Sequence, residues 1–196
     1  NENKYVFNCM NTDKICIFTD TGKMHTIKAV DIPLGRFRDK GTPVDNLSNY
    51  DSSQERMLYV APVGQLRSDR LLFVTKTSMC KLVEGAEFDV AKRTIASTKL
   101  ADEDELIFIG SASEMEQIVL QSHGGCFLRF LTQEVSTMKK TALGVRGMKL
   151  ADDDYLEHAY LLAGHQEYTI SYHDKEYALN KVRLAKRDTK GIKPRI

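Results

Sequence analysis

The chain has 196 residues, 42% of them hydrophobic and 28% charged, which is enough for one domain or two with a sizeable core and is ordinary for a globular protein. Lys and Arg number 28 against 27 Asp and Glu, so a net charge of +1 gives no bulk attraction for polyanions, and any electrostatic function must come from where the charges lie. No apolar run approaches the roughly 20 residues that span a bilayer, and no signal-peptide pattern is visible at the start.

In chain order, the opening NENKYVF lacks an initiator Met, so the chain is expected to be a piece of something longer, and KYVFNCM reads as the fourth strand of a preceding or closing unit over 1–11. A repeat then begins. KICIFTDTGKMHTIKAVDI from Lys14, RLLFVTKTSMCKLVEGAEF from Arg70, QIVLQSHGGCFLRFLTQEV from Gln117 and EYTISYHDKEYALNKVRL from Glu167 each read as strand, polar turn, strand. Strand starts at Ile15, Leu71, Ile118 and Tyr168 are spaced 56, 47 and 50 residues apart, a period typical of propellers, whose units are small sheets unable to bury their own faces.

A basic loop follows the second strand of each repeat: RFRDK at 36–40, KR at 92–93, KK at 139–140 and KRDTK at 186–190. A third strand is expected in 41–47, 94–100, 144–150 and 191–196. Acidic turns come next, at 51–55, 102–105 and 152–154, before fourth strands in MLYVAPV, ELIFIGSA and YLEHAYLL. ASEMEQ at 112–117 reads as a loop, and no segment sustains helical apolar spacing over four turns. The chain is therefore expected to be one all-β domain over 1–196, a propeller-like array of about four four-stranded blades at approximately 12–64, 65–113, 114–163 and 164–196. Either it belongs to a larger array, or its first strand closes a ring of four.

The pattern strand, T-x-x-G-x-x, strand, basic loop, glycine-containing third strand and acidic turn resembles the C-terminal domain of the A subunits of bacterial type IIA topoisomerases, DNA gyrase and topoisomerase IV. TALGVRGMKLADDD at 141–154 and LGRFRDKGTPVDNL at 34–47 carry the resemblance best, and it covers essentially the whole chain. The Q-R-R-G-G-x-G box of gyrases does not occur, so the choice between the two enzymes stays open. The resemblance implies a β-pinwheel with strands exchanged between neighbouring blades, and a role in binding and bending duplex DNA around the rim for delivery to a strand-passage core. The family's catalytic tyrosine lies in a different domain, so none of the eight tyrosines is assigned that role. ATP and Mg²⁺ are expected only elsewhere in the parent enzyme. The implied partners are duplex DNA, the rest of the A subunit, which carries the core, plus the ATPase B subunit. The setting implied is the bacterial cytoplasm, at the nucleoid, with no membrane partner.

Lys and Arg on a curved surface gain affinity for duplex DNA by releasing condensed counterions, and Arg can fork onto a phosphate. The candidate DNA contacts are Arg36, Arg38, Lys40, Lys92, Arg93, Lys139, Lys140, Lys186, Arg187 and Lys190, with Arg146 and Lys193 at matching third-strand positions. A single Lys-Lys pair in a loop is ordinarily solvated surface; recurrence in four repeats sets these apart. The acidic turns would repel DNA and confine it to one side of the rim.

Other constellations carry less. Asp152-Asp153-Asp154 lacks the alternating ligands and glycine of a calcium loop, and His158, His165 and His173 fall on different elements, so no metal site is expected. Cys9, Cys16, Cys80 and Cys126 sit singly, with no C-x-x-C pair, and read as reduced, mostly buried thiols. Gly144 to Gly147 forms a G-x-x-G whose third-strand position suggests a turn or close packing rather than an RNA-binding loop. No nucleophile has a base nearby in sequence and no glycine loop fits a phosphate, so no catalysis is expected in the chain. The alternative function is a propeller serving as a protein–protein interaction platform, which predicts an exposed apolar patch and weak salt dependence.

Overall fold

A computed structural model describes residues 3–195. Its strands are β1 (Lys14–Thr19), β2 (Lys23–Lys28), β3 (Met57–Pro62), β4 (Arg70–Thr75), β5 (Met79–Glu84), β6 (Thr94–Ala96), β7 (Leu106–Ser111), β8 (Gln117–Ser122), β9 (Phe127–Leu131), β10 (Val145–Arg146), β11 (Leu156–Leu162), β12 (Thr169–Tyr172) and β13 (Lys175–Ala178). Among the described residues the one α-helical segment, α1, is a single turn at Val63–Leu66.

The strands form four antiparallel sheets, in the orders β3-β1-β2-β6, β10-β5-β4-β7, β11-β8-β9 and β12-β13. This is the all-β, propeller-like array that the repeat implies, with the exchange of strands between neighbours that the resemblance implies, and the third strand is its connecting device. β6 belongs by sequence to the second repeat but pairs with β2 of the first, Met24 opposite Ile95. β10, of the third repeat, pairs with β5 of the second, Val145 opposite Cys80. In the fourth repeat Ile192 bridges back to Phe127 on β9. The second, third and fourth repeats thus each lend a segment to the sheet before them, and neighbouring blades are joined by backbone hydrogen bonds as well as by packing.

The core lies between the sheets, because alternate residues of each first strand face opposite neighbours. Leu71 and Phe73 of β4 pack with Cys16, Phe18 and Met24 of the first sheet, while Leu72 and Val74 pack with Ile118, Leu120 and Phe130 of the third. A strand buried on both faces has to be apolar throughout, hence LLFV. In the second, third and fourth repeats a 3₁₀ turn after the second strand drops an apolar plug into the seam: Phe88 (with Phe18 at 4.9 Å, edge to face), Val135 and Val182 are all buried, whereas Ile32 at the equivalent place in the first repeat is exposed. The third seam joins Val119, Phe127 and Leu162 to Leu179, Tyr172 and Tyr177.

Two strand expectations are overturned. Residues 41–47 contain no strand but a 3₁₀ turn at Val44–Asn46. Among the described residues no sheet precedes β1, so this segment has no second strand to join; Val44 and Leu47 instead cover Ile17, Ile27 and Tyr50 on the open face of the first sheet. The strand expected over 1–11 is also missing: residues 1 and 2 lie outside the described residues, and 3–11 are not strand. Tyr5 nevertheless packs edge-on to Tyr59 and donates a hydrogen bond to the Leu58 carbonyl at 3.0 Å. The third strands are shorter than expected, two or three residues or a single bridge, and Ile196 of the 191–196 segment lies outside the described residues.

The face each sheet turns toward its successor changes along the chain. The equivalent pairs are Cys16 and Phe18, Leu72 and Val74, Val119 and Gln121, then Thr169 and Ser171, both exposed.

Candidate nucleic-acid interface

The basic loops of the second, third and fourth repeats sit where the chain crosses to the sheet before it, and the crossing fixes their surroundings. The 3₁₀ turn of one repeat carries an acidic residue that meets the next repeat's basic loop. Lys139 Nζ lies 3.2 Å from Glu87 Oε1, the Lys140 amide donates to Glu87 Oε2 at 2.8 Å, and Lys140 Nζ donates to the Glu87 carbonyl at 3.2 Å. One repeat on, the Arg187 amide donates to Glu134 Oε1 at 3.1 Å and its Nε to the Glu134 carbonyl at 3.0 Å. Burial pushes the Glu87 carboxyl up, but the Lys140 amide and the Lys139 ammonium outweigh it and hold Glu87 below the ordinary carboxylate range. Part of the recurrence of basic clusters is therefore a seam between blades.

The candidate cations divide accordingly. Arg187 also donates to the Arg146 carbonyl at 2.7 Å, and Arg146 forks onto Asp188 at 2.5 and 3.2 Å, so these two guanidiniums are committed to protein partners. The ion pair raises the Arg146 pKa and lowers that of Asp188. Arg93 reaches the Leu47 carbonyl at 3.4 Å. Lys92, Lys186, Lys190 and Lys193 are exposed, as are Arg36, Arg38 and Lys40, and none of the seven takes part in an ion pair among the described residues.

Two grooves gather lysines from successive repeats. One of about 650 Å³ is lined by Lys92, Lys99 and Lys140 with Thr94, Thr98 and Thr141, over a floor of Ile95 and Ala96. The other, about 390 Å³, brings Lys149 and Lys190 together over Met148 and Leu150, with Asp152 and Asp154 at its rim. Backbone bonds set both spacings: the Lys99 amide donates to the Lys140 carbonyl, and that of Lys149 to the Thr189 carbonyl. Lys99 and Lys149 were missed as candidates from sequence. Their signal was present in K-L-A-D, which follows the third strand at 99–102 and again at 149–152. Neither of these two grooves includes Arg36, Arg38 or Lys40, and no ion pair among the described residues engages them. Lys193 shares a cavity with Lys175 and Tyr172 near the fourth sheet.

The acidic turns have a role beyond charge. Each ties the fourth strand's entry to the hairpin turn of its own sheet: Glu55 Oε1 accepts from Thr19 and Thr21 at 2.8 and 3.0 Å, Asp104 from Thr77 at 2.5 Å, and Asp154 from the Gly124 amide at 2.8 Å. Glu55 also meets His25 Nε2 at 2.6 Å, and His25 Nδ1 lies 2.9 Å from Thr94 Oγ1 on the exchanged strand β6. This Thr-His-Glu chain is sealed from solvent, with the His25 and Glu55 side chains 3% and 5% exposed, so it latches a strand and has no opening for a substrate.

The family model described as the DNA gyrase C-terminal domain, beta-propeller, matches residues 13–52, 69–113 and 116–163, the three repeats whose four-strand pattern is complete in sequence. The chain belongs to that family. It is 27% identical over 184 residues to the DNA gyrase A protein of Ureaplasma parvum, a match over 91% of this chain and 22% of that protein. With the DNA gyrase A protein of Salmonella typhimurium it is 31% identical over 144 residues, 72% of this chain and 16% of the other. The propeller domain thus spans about a fifth of the length of the curated relatives it matches. Among solved structures, the C-terminal domain of DNA topoisomerase IV superposes with a TM-score of 0.83 at 24% identity, over 93% of this chain and 58% of that one. The DNA gyrase A C-terminal domain gives 0.68 at 22% identity, over 94% and 60%. No helix among the described residues is long and apolar enough to cross a membrane.

Proposed function

We propose that the domain binds and bends duplex DNA as a non-catalytic part of the A subunit of a type IIA topoisomerase, gyrase or topoisomerase IV, and presents that DNA to a strand-passage core. The observation that carries the reading is the recurrence of lysines at successive blade seams, most of them exposed, in a chain that belongs to the gyrase C-terminal family. Lys92, Lys99 and Lys140 in one groove, and Lys149 and Lys190 in the next, supply phosphate contacts, joined by Lys186, Lys193 and the Arg36–Lys40 cluster. Arg146, Arg187 and Arg93 contribute mainly by holding loops in place, while the exposed Lys139 is partly drawn off by its weak ion pair with Glu87. The partners under this reading are duplex DNA, the ATPase B subunit, plus the rest of the A subunit, in the bacterial cytoplasm, with ATP and Mg²⁺ handled outside this domain.

The test is binding to a non-specific duplex of about 40 base pairs across salt concentrations. For on the order of eight phosphate contacts, affinity is expected to fall by about 10³ to 10⁵ between 50 and 200 mM salt. Replacing Lys92, Lys99 and Lys140 by alanine is expected to flatten the log–log slope by about 2 to 3 with the melting temperature nearly unchanged. A slope that the triple variant leaves untouched would remove the grooves from the interface.

A second reading, the protein-interaction platform, is favoured by one observation: Val30, Ile32, Leu34 and Phe37 are all exposed on one segment of the first repeat. It requires weak salt dependence, so the same titration separates the two.

A further inference from the structure

The first basic loop differs in kind from the other three. Its cations alternate with an aromatic side chain, Arg36-Phe37-Arg38, whereas 91–94, 138–141 and 185–188 contain no aromatic residue. Leu34 and Phe37 are 104% and 96% exposed, about as free of neighbours as side chains can be. The loop has a defined shape all the same. The Asp39 amide donates to the Arg36 carbonyl at 2.9 Å, and the Arg36 amide donates to Asp39 Oδ2 at 2.7 Å, closing a turn with Phe37 and Arg38 at its two central positions. Asp39 commits this carboxylate oxygen to backbone, and none of the ion pairs among the described residues engages Arg36, Arg38 or Lys40.

An apolar tip on a hydrogen-bonded turn, beside cations with no ion-pair partner among the described residues, suits wedging open a base step, with the cations on nearby phosphates while the tip enters from the minor groove. We propose that the loop at 33–40 is such a wedge: Phe37 enters a duplex at one step and partly unstacks it, with Arg36, Arg38 and Lys40 on the flanking phosphates. The inference rests on the DNA-binding reading above and adds to it a localised kink, where the lysine grooves alone would bend the duplex smoothly. It also gives the exposed Phe37 a single occupant, DNA, in place of a protein partner.

The experiment compares the 196-residue chain and Phe37→Ala on two duplexes of about 40 base pairs, one fully matched and one with a central two-base mismatch, by fluorescence anisotropy at several salt concentrations. A mismatch removes part of the unstacking cost, so the wild-type chain is expected to bind that duplex about fivefold or more tighter. Phe37→Ala is expected to bind both duplexes alike, with an unchanged salt slope, while Arg36→Gln with Arg38→Gln lowers the slope by about 2 and leaves the preference in place. Because Phe37 touches so little, its variant folds normally, which an unchanged melting temperature verifies. Equal wild-type affinities for the two duplexes, or an undiminished preference in Phe37→Ala, overturns the wedge and leaves the DNA-binding reading standing. No binding to either duplex at low salt overturns both.

Discussion

Lys81 is a lysine with 1% of its surface exposed and no carboxylate within ion-pair distance among the described residues. Its Nζ donates to the carbonyls of Lys140 and Ala142 at 2.8 and 2.7 Å and lies 5.6 Å from the centre of the Phe73 ring. Burial pulls its pKa down to about 8, with Glu87 opposing weakly. The unfolded chain then binds more protons than the folded one between about pH 8 and 10.5, so the Lys81 contribution to stability rises with pH across that window. The full excursion is on the order of 3 kcal/mol. Urea unfolding of the wild type and Lys81→Met at about pH 7.5 and 10 isolates it: the difference between the two is expected to shift in favour of the wild type as pH rises. His25 occupies the equivalent place in the first sheet, opposite Ile17 as Lys81 is opposite Phe73. Its partner Glu55 is pushed up by burial, but the Thr19 hydroxyl, the Asp51 amide, His25 and Thr21 together hold it below the usual carboxylate value. A depressed carboxylate stabilises fully above the unfolded pKa of about 4.5 and loses that contribution as pH falls through the folded value. Glu55→Ala is expected to cost about 1 to 3 kcal/mol by chemical denaturation, since it leaves the buried His25 Nε2 without its partner and removes an acceptor from Thr19. Neither position was legible in sequence. A single His or Lys inside a strand reads as a solvent-facing residue until the exchanged segment that covers it is known.

At the scale of elements, the apolar first strands and their hairpin partners follow directly from the period-two pattern and the turn residues, and the structure has them where the pattern put them. The third strands do not follow in the same way, because their partner lies in a different repeat. GTPVDNL carries the same local signals as GVRGMKL, yet only the second contains strand, at Val145–Arg146, since only it has β5 to pair with. Backbone chemistry enforces that crossing. Gly144 has φ of 107°, and a Cβ there would sit 2.6 Å from the Cys80 carbonyl oxygen, so the G-x-x-G marks close strand packing. Gly144→Ala is expected to detach β10 and lower the melting temperature by several degrees. The acidic 3₁₀ residue that meets the next basic loop gives a contrasting case. The ion pair of Glu87 with the 84%-exposed Lys139 is worth at most about 1 kcal/mol, so Glu87→Gln is expected to change stability little. Under the DNA-binding reading it also frees Lys139 and tightens DNA binding at low salt, which the same anisotropy titration measures.

For the whole molecule, stability rests in the seams between blades. Leu120, fully buried between the second and third sheets, is a direct probe. Leu120→Asp is expected to unfold the domain, because a carboxylate there has no partner to offset its desolvation, and circular dichroism reports it. Leu120→Ala is expected to cost about 2 to 5 kcal/mol, and tolerance of both would contradict the packing described. The seams also decide which cations remain free. Under the DNA-binding reading, a near-neutral chain can still meet a polyanion when Glu87 and Asp188 are paired with Lys139 and Arg146, the Arg187 guanidinium is held by the Glu134 carbonyl, and the remaining lysines are left at the grooves.

By itself the sequence determined the fold class, the repeat and its period, the positions of the first and second strands and of the fourth strands in the first three repeats, and the presence of a basic loop in each unit, although the fourth strand expected over 1–11 is not formed across 3–11. All of these are written locally, in alternation, turn residues and spacing. The tertiary structure alone decided which strand is exchanged and in which direction, the third joining the preceding sheet, that residues 41–47 fold over their own blade, and that Lys81 and His25 are interior. It also decided which basic residues are engaged by carbonyls and carboxylates and which stay in solvent. These depend on contacts some 40 to 70 residues apart along the chain, such as Thr94 with His25 and Lys140 with Lys81, and no local pattern encodes which neighbour a segment will meet.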